Sequence, residues 1–170
     1  MIKRFIRTWL AVVLACASAF SFAGEVQSLK WVDLIPEDEI ERHELMMAAQ
    51  NASMALLDHS SNTPKMNQMT FGSTRQELDG QTVAISGFII PLEGDHETLT
   101  EFLLVPFVGA CIHVPPPPPN QMIYVTAENG VAMQELWAGV TIQGVMSTES
   151  VGNELAEIGY QMSLESIKKY

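Results

Sequence analysis

The sequence predicts a mainly β protein, a small five-stranded barrel preceded by one N-terminal α-helix, and three observations carry that reading. Residues 76–170 hold five short segments rich in β-branched and apolar side chains, separated by turn signals. Gly87 and Gly144 fall in the middle of two of these segments, where a strand would have to coil to close a barrel. Upstream, Pro36 followed by Glu37, Asp38 and Glu39 opens a stretch of helical apolar spacing.

Lys3, Arg4 and Arg7 form a basic start, an apolar run follows from Trp9 to Ala19, and Ser21-Phe22-Ala23 places small residues at the positions read by a signal peptidase. Residues 1–23 are therefore expected to be an export signal and the mature chain periplasmic. The apolar run is shorter than the roughly 20 residues of a spanning helix, and no later stretch reaches that length. A rival cut after Val13-Leu14-Ala15 would leave Cys16 as a lipidated N-terminus, although Leu14 is unusual there and Ala17 to Ala23 stays apolar. Removing residues 1–23 takes the formal charge from −11 to −14, because three basic residues leave and no acidic one does. Such a chain is poorly suited to nucleic acid or to an anionic membrane surface.

In the mature chain the helix is expected from Pro36 to about Leu57. Leu45, Ala48, Ala52, Ala55 and Leu56 then make one apolar stripe, while Glu41, Arg42 and Glu44 stay wet. Ser60 to Thr74 shifts to Ser, Asn, Thr, Pro and Gln and reads as a linker. The chain thus divides into a helix and polar linker over 24–75 and a β domain over 76–170. Asp79-Gly80 is a turn. Strands are predicted over Thr82–Leu92, Phe102–Val108, Met122–Thr126, Gly139–Ser147 and Gly159–Ile167, with a short helix over Ser150–Ile158. Five short strands in about 90 residues resemble the oligomer-binding (OB) barrel, with a two-sheet sandwich as the alternative.

The block Gly109-Ala110-Cys111-Ile112-His113-Val114 followed by Pro115, Pro116, Pro117, Pro118, Pro119, Asn120 and Gln121 is hard to explain as ordinary core. If extended, Cys111 and His113 share one face and can converge on one atom. The prolines lock φ and lack amide hydrogens, so they should form a polyproline II rod of about 3.1 Å per residue, roughly 15 Å long. Thiolate and neutral imidazole suit zinc or copper better than calcium or magnesium. Two donors are too few for zinc. His96, in the acidic loop Glu93-Gly94-Asp95-His96-Glu97, is the leading third ligand, and Glu93, Asp95 or Glu97 could complete the set. The blander reading makes Cys111 and His113 packed core residues and the acidic loop a solvated surface. A nucleophile reading makes Cys111 attack with His113 as base, but the sequence identifies no group to orient the imidazole. After residue 23, Cys111 is the only cysteine, so an intramolecular disulfide is impossible. No P-loop, serine elbow or dinucleotide-binding glycine pattern is present, which makes an enzyme the third-ranked reading.

Met46, Met47, Met54, Met66 and Met69 cluster near His43 and His59. Thioethers and imidazoles are donors for Cu(I) or Ag(I). His43 and Met47 lie one helical turn apart, and Met66 and Met69 form an M-x-x-M pair. Filling of core gaps is the alternative use of such methionines.

The blocks DGQTVAISGFIIPLE, EFLLVPFVGACIHVPPPPPNQMIYV and GVTIQGVMSTE resemble an uncharacterised bacterial family of exported proteins, domain-of-unknown-function family number 3299, over roughly residues 78–170. The resemblance implies a small periplasmic β domain, often encoded near ABC-transporter components and sometimes in zinc-responsive gene sets. It also implies that Cys111, His113 and the proline rod belong to the family's characteristic site. Two functional expectations follow. One is a periplasmic accessory protein that holds zinc for an envelope ABC-transport system through Cys111 and His113, with His96 as third ligand. The other is a metal-free interaction module whose exposed rod, Pro115 to Gln121, docks in an aromatic groove of a membrane partner.

Overall fold

The computed structural model describes residues 26–56, 72–95, 97–107, 117–132, 139–152 and 157–169. Five long strands form the closed barrel: β2 (Thr82–Gly94), β3 (Thr98–Val105), β4 (Ile123–Ala132), β5 (Gly139–Ser147) and β8 (Tyr160–Lys169). The pairing runs β2-β3-β4-β8-β5 and returns from β5 to β2, so no barrel strand is left as a free edge. Only β4 and β8 run parallel, in the register Ile123↔Tyr160 to Thr126↔Ser163; the other four pairs are antiparallel. This strand order is compatible with the OB-like barrel expected from the sequence.

Alternation along β2 turns Val83, Ile85, Gly87 and Ile89 inward, and they meet Leu99, Phe102, Leu104, Ile123, Val125, Val140, Ile142, Met146, Tyr160 and Met162 in the core. Register shifts in β2, between Leu99 and Glu101, and between Gln143 and Gly144 let the sheet coil. Gly144 sits where a Cβ would collide with the Ser163 carbonyl, so glycine is required at that bend.

Several elements differ from expectation. Strand β3 begins at Thr98, four residues before the apolar run, because Thr98 and Leu99 still pair with Ala132 and Val131 across a bulge. The same pairing carries β4 to Ala132. In place of a helix over 150–158 stand two short antiparallel strands, β6 (Val151–Gly152) and β7 (Glu157–Ile158), with 153–156 outside the described residues. Ile158 is fully buried against Leu103, Val105 and Met122, a contact that favours strand over helix there.

Residues N-terminal to position 76 pair with and pack on the barrel. Strand β1 (Gln27–Leu29) lies parallel to β2, in register Gln27↔Val83 to Leu29↔Ile85, alongside the stretch of β2 that β3 does not reach. The 3-10 turn Trp31–Leu34 follows; Leu34 is fully buried, and the Trp31 indole N–H donates to the Ser86 carbonyl at 2.8 Å. Tyr160, also fully buried, receives the Arg75 amide at 2.6 Å and donates to the Leu34 carbonyl at 2.8 Å.

The helical segment forms as a 3-10 turn (Glu37–Glu39) running into helix α1 (Ile40–Leu56), but its covered side is not the expected stripe. Leu45 is 65% exposed and Ala48 and Ala52 are exposed, whereas Ile40, His43 and Met47 are half-buried. Those three recur at helical spacing on the opposite side. The sequence displays two apolar faces here, and the longer one is turned to solvent. The side chains of Ala55 and Leu56 lie outside the description.

Candidate functional site

The proline tract serves as an anchor at one end of the barrel. Pro117, Pro118, Pro119, Asn120 and Gln121 are buried, and Pro119–Gln121 is a 3-10 turn instead of a rod. The Pro119 carbonyl accepts the Gly159 amide at 2.8 Å, the Gln121 carboxamide donates to the Trp31 carbonyl at 2.9 Å, and the Asn120 carboxamide donates to the Ser73 carbonyl at 3.1 Å. This corrects the expectation of an exposed docking rod over its described part. A segment closed in by Trp31, Ser73 and Gly159 cannot lie in a partner's groove without breaking those bonds. Pro115 and Pro116 lie outside the described residues.

Cys111, His113 and His96 also lie outside them. Their flanks are described. The segment carrying Cys111 and His113 leaves β3 after Val105, while Asp95 and Glu97 bracket His96 at the other end of the same strand. An eight-residue strand at 3.3 Å per residue separates the two ends by roughly 23 Å. One Asp95 carboxylate oxygen already accepts the Glu97 amide at 2.8 Å and the Thr98 amide at 2.7 Å, and these bonds hold its pKa below the usual range. Among the described residues, no three His, Cys, Asp or Glu side chains are grouped closely enough to hold a metal ion.

The outer face of β2, β3 and β4 is the second feature. Phe88, Ile90, Leu92, Leu103, Val105, Met122 and Tyr124 alternate outward and pack with Val151 and Ile158 of β6 and β7. At the far end of this face Glu93 stands opposite Glu101 across the β2–β3 pair, and the Tyr124 hydroxyl donates a short hydrogen bond to Glu101. That bond, with burial and the charges of Glu101 and Glu93, pushes the phenol up to about 12. Two carboxylates give this face a sign that repels phosphate. The sequence reading missed Glu101 and Tyr124, because their meeting depends on the β3–β4 register.

A clasp joins α1 to the anchor. Ser73 donates its amide (3.1 Å) and hydroxyl (2.7 Å) to Glu39, which also pairs with Arg42 at 3.0 Å, and the same Ser73 offers its carbonyl to Asn120. Burial raises the Glu39 carboxyl, but the Ser73 bonds and the Arg42 charge outweigh it and hold the pKa below the usual 4.5. A depressed carboxylate contributes stability above its unfolded pKa and loses it as pH falls through the folded one. Amide exchange at Ser73 should therefore quicken as pH drops below about 4.5, after correction for intrinsic exchange. In Glu39→Gln the corrected profile should be flat; an unchanged profile would show that the clasp does not hold the segment.

A family profile described as "Protein of unknown function (DUF3299)" matches residues 31–169. The match extends the resemblance beyond 78–170 to take in α1 and the methionine-bearing segment. Among solved structures, the crystal structure of a DUF3299 family protein from Pseudomonas aeruginosa PAO1 is 34% identical, with 86% of this chain and 97% of that chain covered and a TM-score of 0.66. No curated protein matches. Among the described residues, no helix is long and apolar enough to cross a membrane.

Proposed function

Because the chain belongs to the DUF3299 family, whose description names no activity, we propose its function from its own residues: a periplasmic accessory protein that binds zinc at the Cys111–His113 segment for an envelope ABC-transport system. The observation that carries the reading is the burial of Pro117 to Gln121. Pro119, Asn120 and Gln121, bonded to Gly159, Ser73 and Trp31, hold one end of the 108–116 segment, and Val105 in β3 holds the other. A short segment pinned at both ends loses less conformational freedom when it captures a ligand. The same burial counts against the docking-rod reading.

In this reading Cys111 as thiolate and His113 as neutral imidazole supply two of the donors, of the kinds that suit zinc. His96 completes it only where the 108–116 segment runs back along β3. Bound zinc would cross-link the segment and displace the thiol proton. Mature, tag-free protein should melt about 5–10 °C higher at a zinc concentration near 100 times Kd, and should release protons on titration. Cys111→Ser combined with His113→Ala should abolish both effects. A double variant that responds to zinc like wild type would sink the reading.

A further inference from the structure

We propose that His43 and Met47 on helix α1 form a second metal site, one for a monovalent d10 ion, Cu(I). The inference does not depend on the Cys111 reading. Ile40, His43 and Met47 occupy the covered side of α1, while the acidic residues Glu41 and Glu44 are exposed. Among the described residues, the His43 Nε2 is buried and has no hydrogen-bond partner. A buried polar atom in that condition is uncommon and calls for a ligand. Burial lowers the His43 pKa, opposed by the Glu44 charge, a direction that favours the neutral ring with its nitrogen lone pair. With the proton on Nδ1, that lone pair is on Nε2.

Met47 follows four residues later, which places the two Cβ atoms about 6 Å apart on one helix side. Imidazole nitrogen and thioether sulfur can therefore reach one ion from successive turns. The donor chemistry decides which ion. A thioether is a poor ligand for calcium, magnesium or zinc and a good one for Cu(I). A d10 monovalent ion is satisfied by two donors, so the site needs no carboxylate.

Cys111 would compete for any soft ion, so the test uses the mature Cys111→Ser protein with Ag(I) as a redox-inert probe. Calorimetric titration should give one site, with the His43 ring and the Met47 methyl as the most shifted NMR signals. His43→Gln and Met47→Leu should each weaken binding at least tenfold while circular dichroism shows the helix retained. Met46→Leu, one residue away on the exposed side, should bind as the parent does. Cu(I), presented from a bicinchoninate complex, should follow the same order. No Ag(I) binding by the Cys111→Ser protein, or equal binding after His43→Gln and Met47→Leu, would overturn the proposal.

Discussion

Tyr160→Phe should lower the unfolding free energy by about 2–3 kcal/mol, and Tyr160→Ala by about 4–6 kcal/mol. The phenylalanine variant keeps the ring in the core but leaves the Arg75 amide and the Leu34 carbonyl without the hydroxyl that serves both. Losing a shared partner at a buried position leaves two polar groups dry, which costs more than either bond contributes alone. The alanine variant adds a cavity where a fully buried aromatic stood. Urea unfolding of the three proteins at pH 7 measures both steps. The hydroxyl also has a pH signature, since burial raises Tyr160 to about 12, beyond what the Arg75 bond and charge lower. A raised acid contributes stability below its unfolded pKa near 10 and loses it as pH climbs through the folded value. Wild type should weaken above pH 10 more steeply than Tyr160→Phe. A phenylalanine variant as stable as wild type would mean that residues 34 and 75 are held to the barrel by something other than this hydroxyl.

The barrel strands were legible to the extent that their own side chains specified them. β2 and β5 are rich in β-branched residues, all three of β2, β5 and β8 have a glycine or turn at their starts, and the expected first residues lie within one residue of the observed ones. β3 and β4 were read short because Thr98, Leu99 and Val131 are strand residues only by virtue of each other, across a bulge that no local pattern announces. The two short strands near 151 and 158 failed for a related reason: Ile158 is drawn to Leu103 and Val105, more than fifty residues away. On α1, both faces satisfy helical periodicity, and the fold leaves Ile40, His43 and Met47 half-buried while Leu45, Ala48 and Ala52 stay exposed. The run of prolines aside, nothing local in the tract distinguishes an exposed rod from a buried anchor. Stiffness suits an exposed rod and a buried anchor equally, and the bonds to Trp31, Ser73 and Gly159 that separate the two come from distant parts of the chain.

The N-terminal segment brings this long-range dependence to one residue, Gly87. There β2 changes neighbours, from β1 along Val83–Ile85 to β3 along Phe88–Gly94, and residues 30 and 31 continue from β1 toward the junction. A Cβ on Gly87 would lie 2.7 Å from the Val105 carbonyl oxygen, 2.9 Å from the Leu104 Cγ and 3.0 Å from the Trp31 ring carbon Cζ2. The first neighbour is β3 backbone and cannot rotate away; the third is the indole that bonds Ser86. Gly87→Ala should therefore cost about 2–3 kcal/mol and Gly87→Val more than about 4 kcal/mol, enough to threaten folding of a domain this size. Gly152→Ala is the matched control, because among the described residues no atom beyond its chain neighbours lies within 4 Å of its added methyl; it should stay within about 0.5 kcal/mol of wild type or gain slightly. In Gly87→Ala the Trp31 indole should leave its seat, seen as a red-shifted emission and a weakened near-ultraviolet dichroism. Pairing it with Trp31→Ala should then cost less than the sum of the two single changes, because both disturb one contact. Additive losses in that cycle, or a Gly87→Val protein that unfolds at the wild-type urea concentration, would show that Trp31 does not close the barrel at this point.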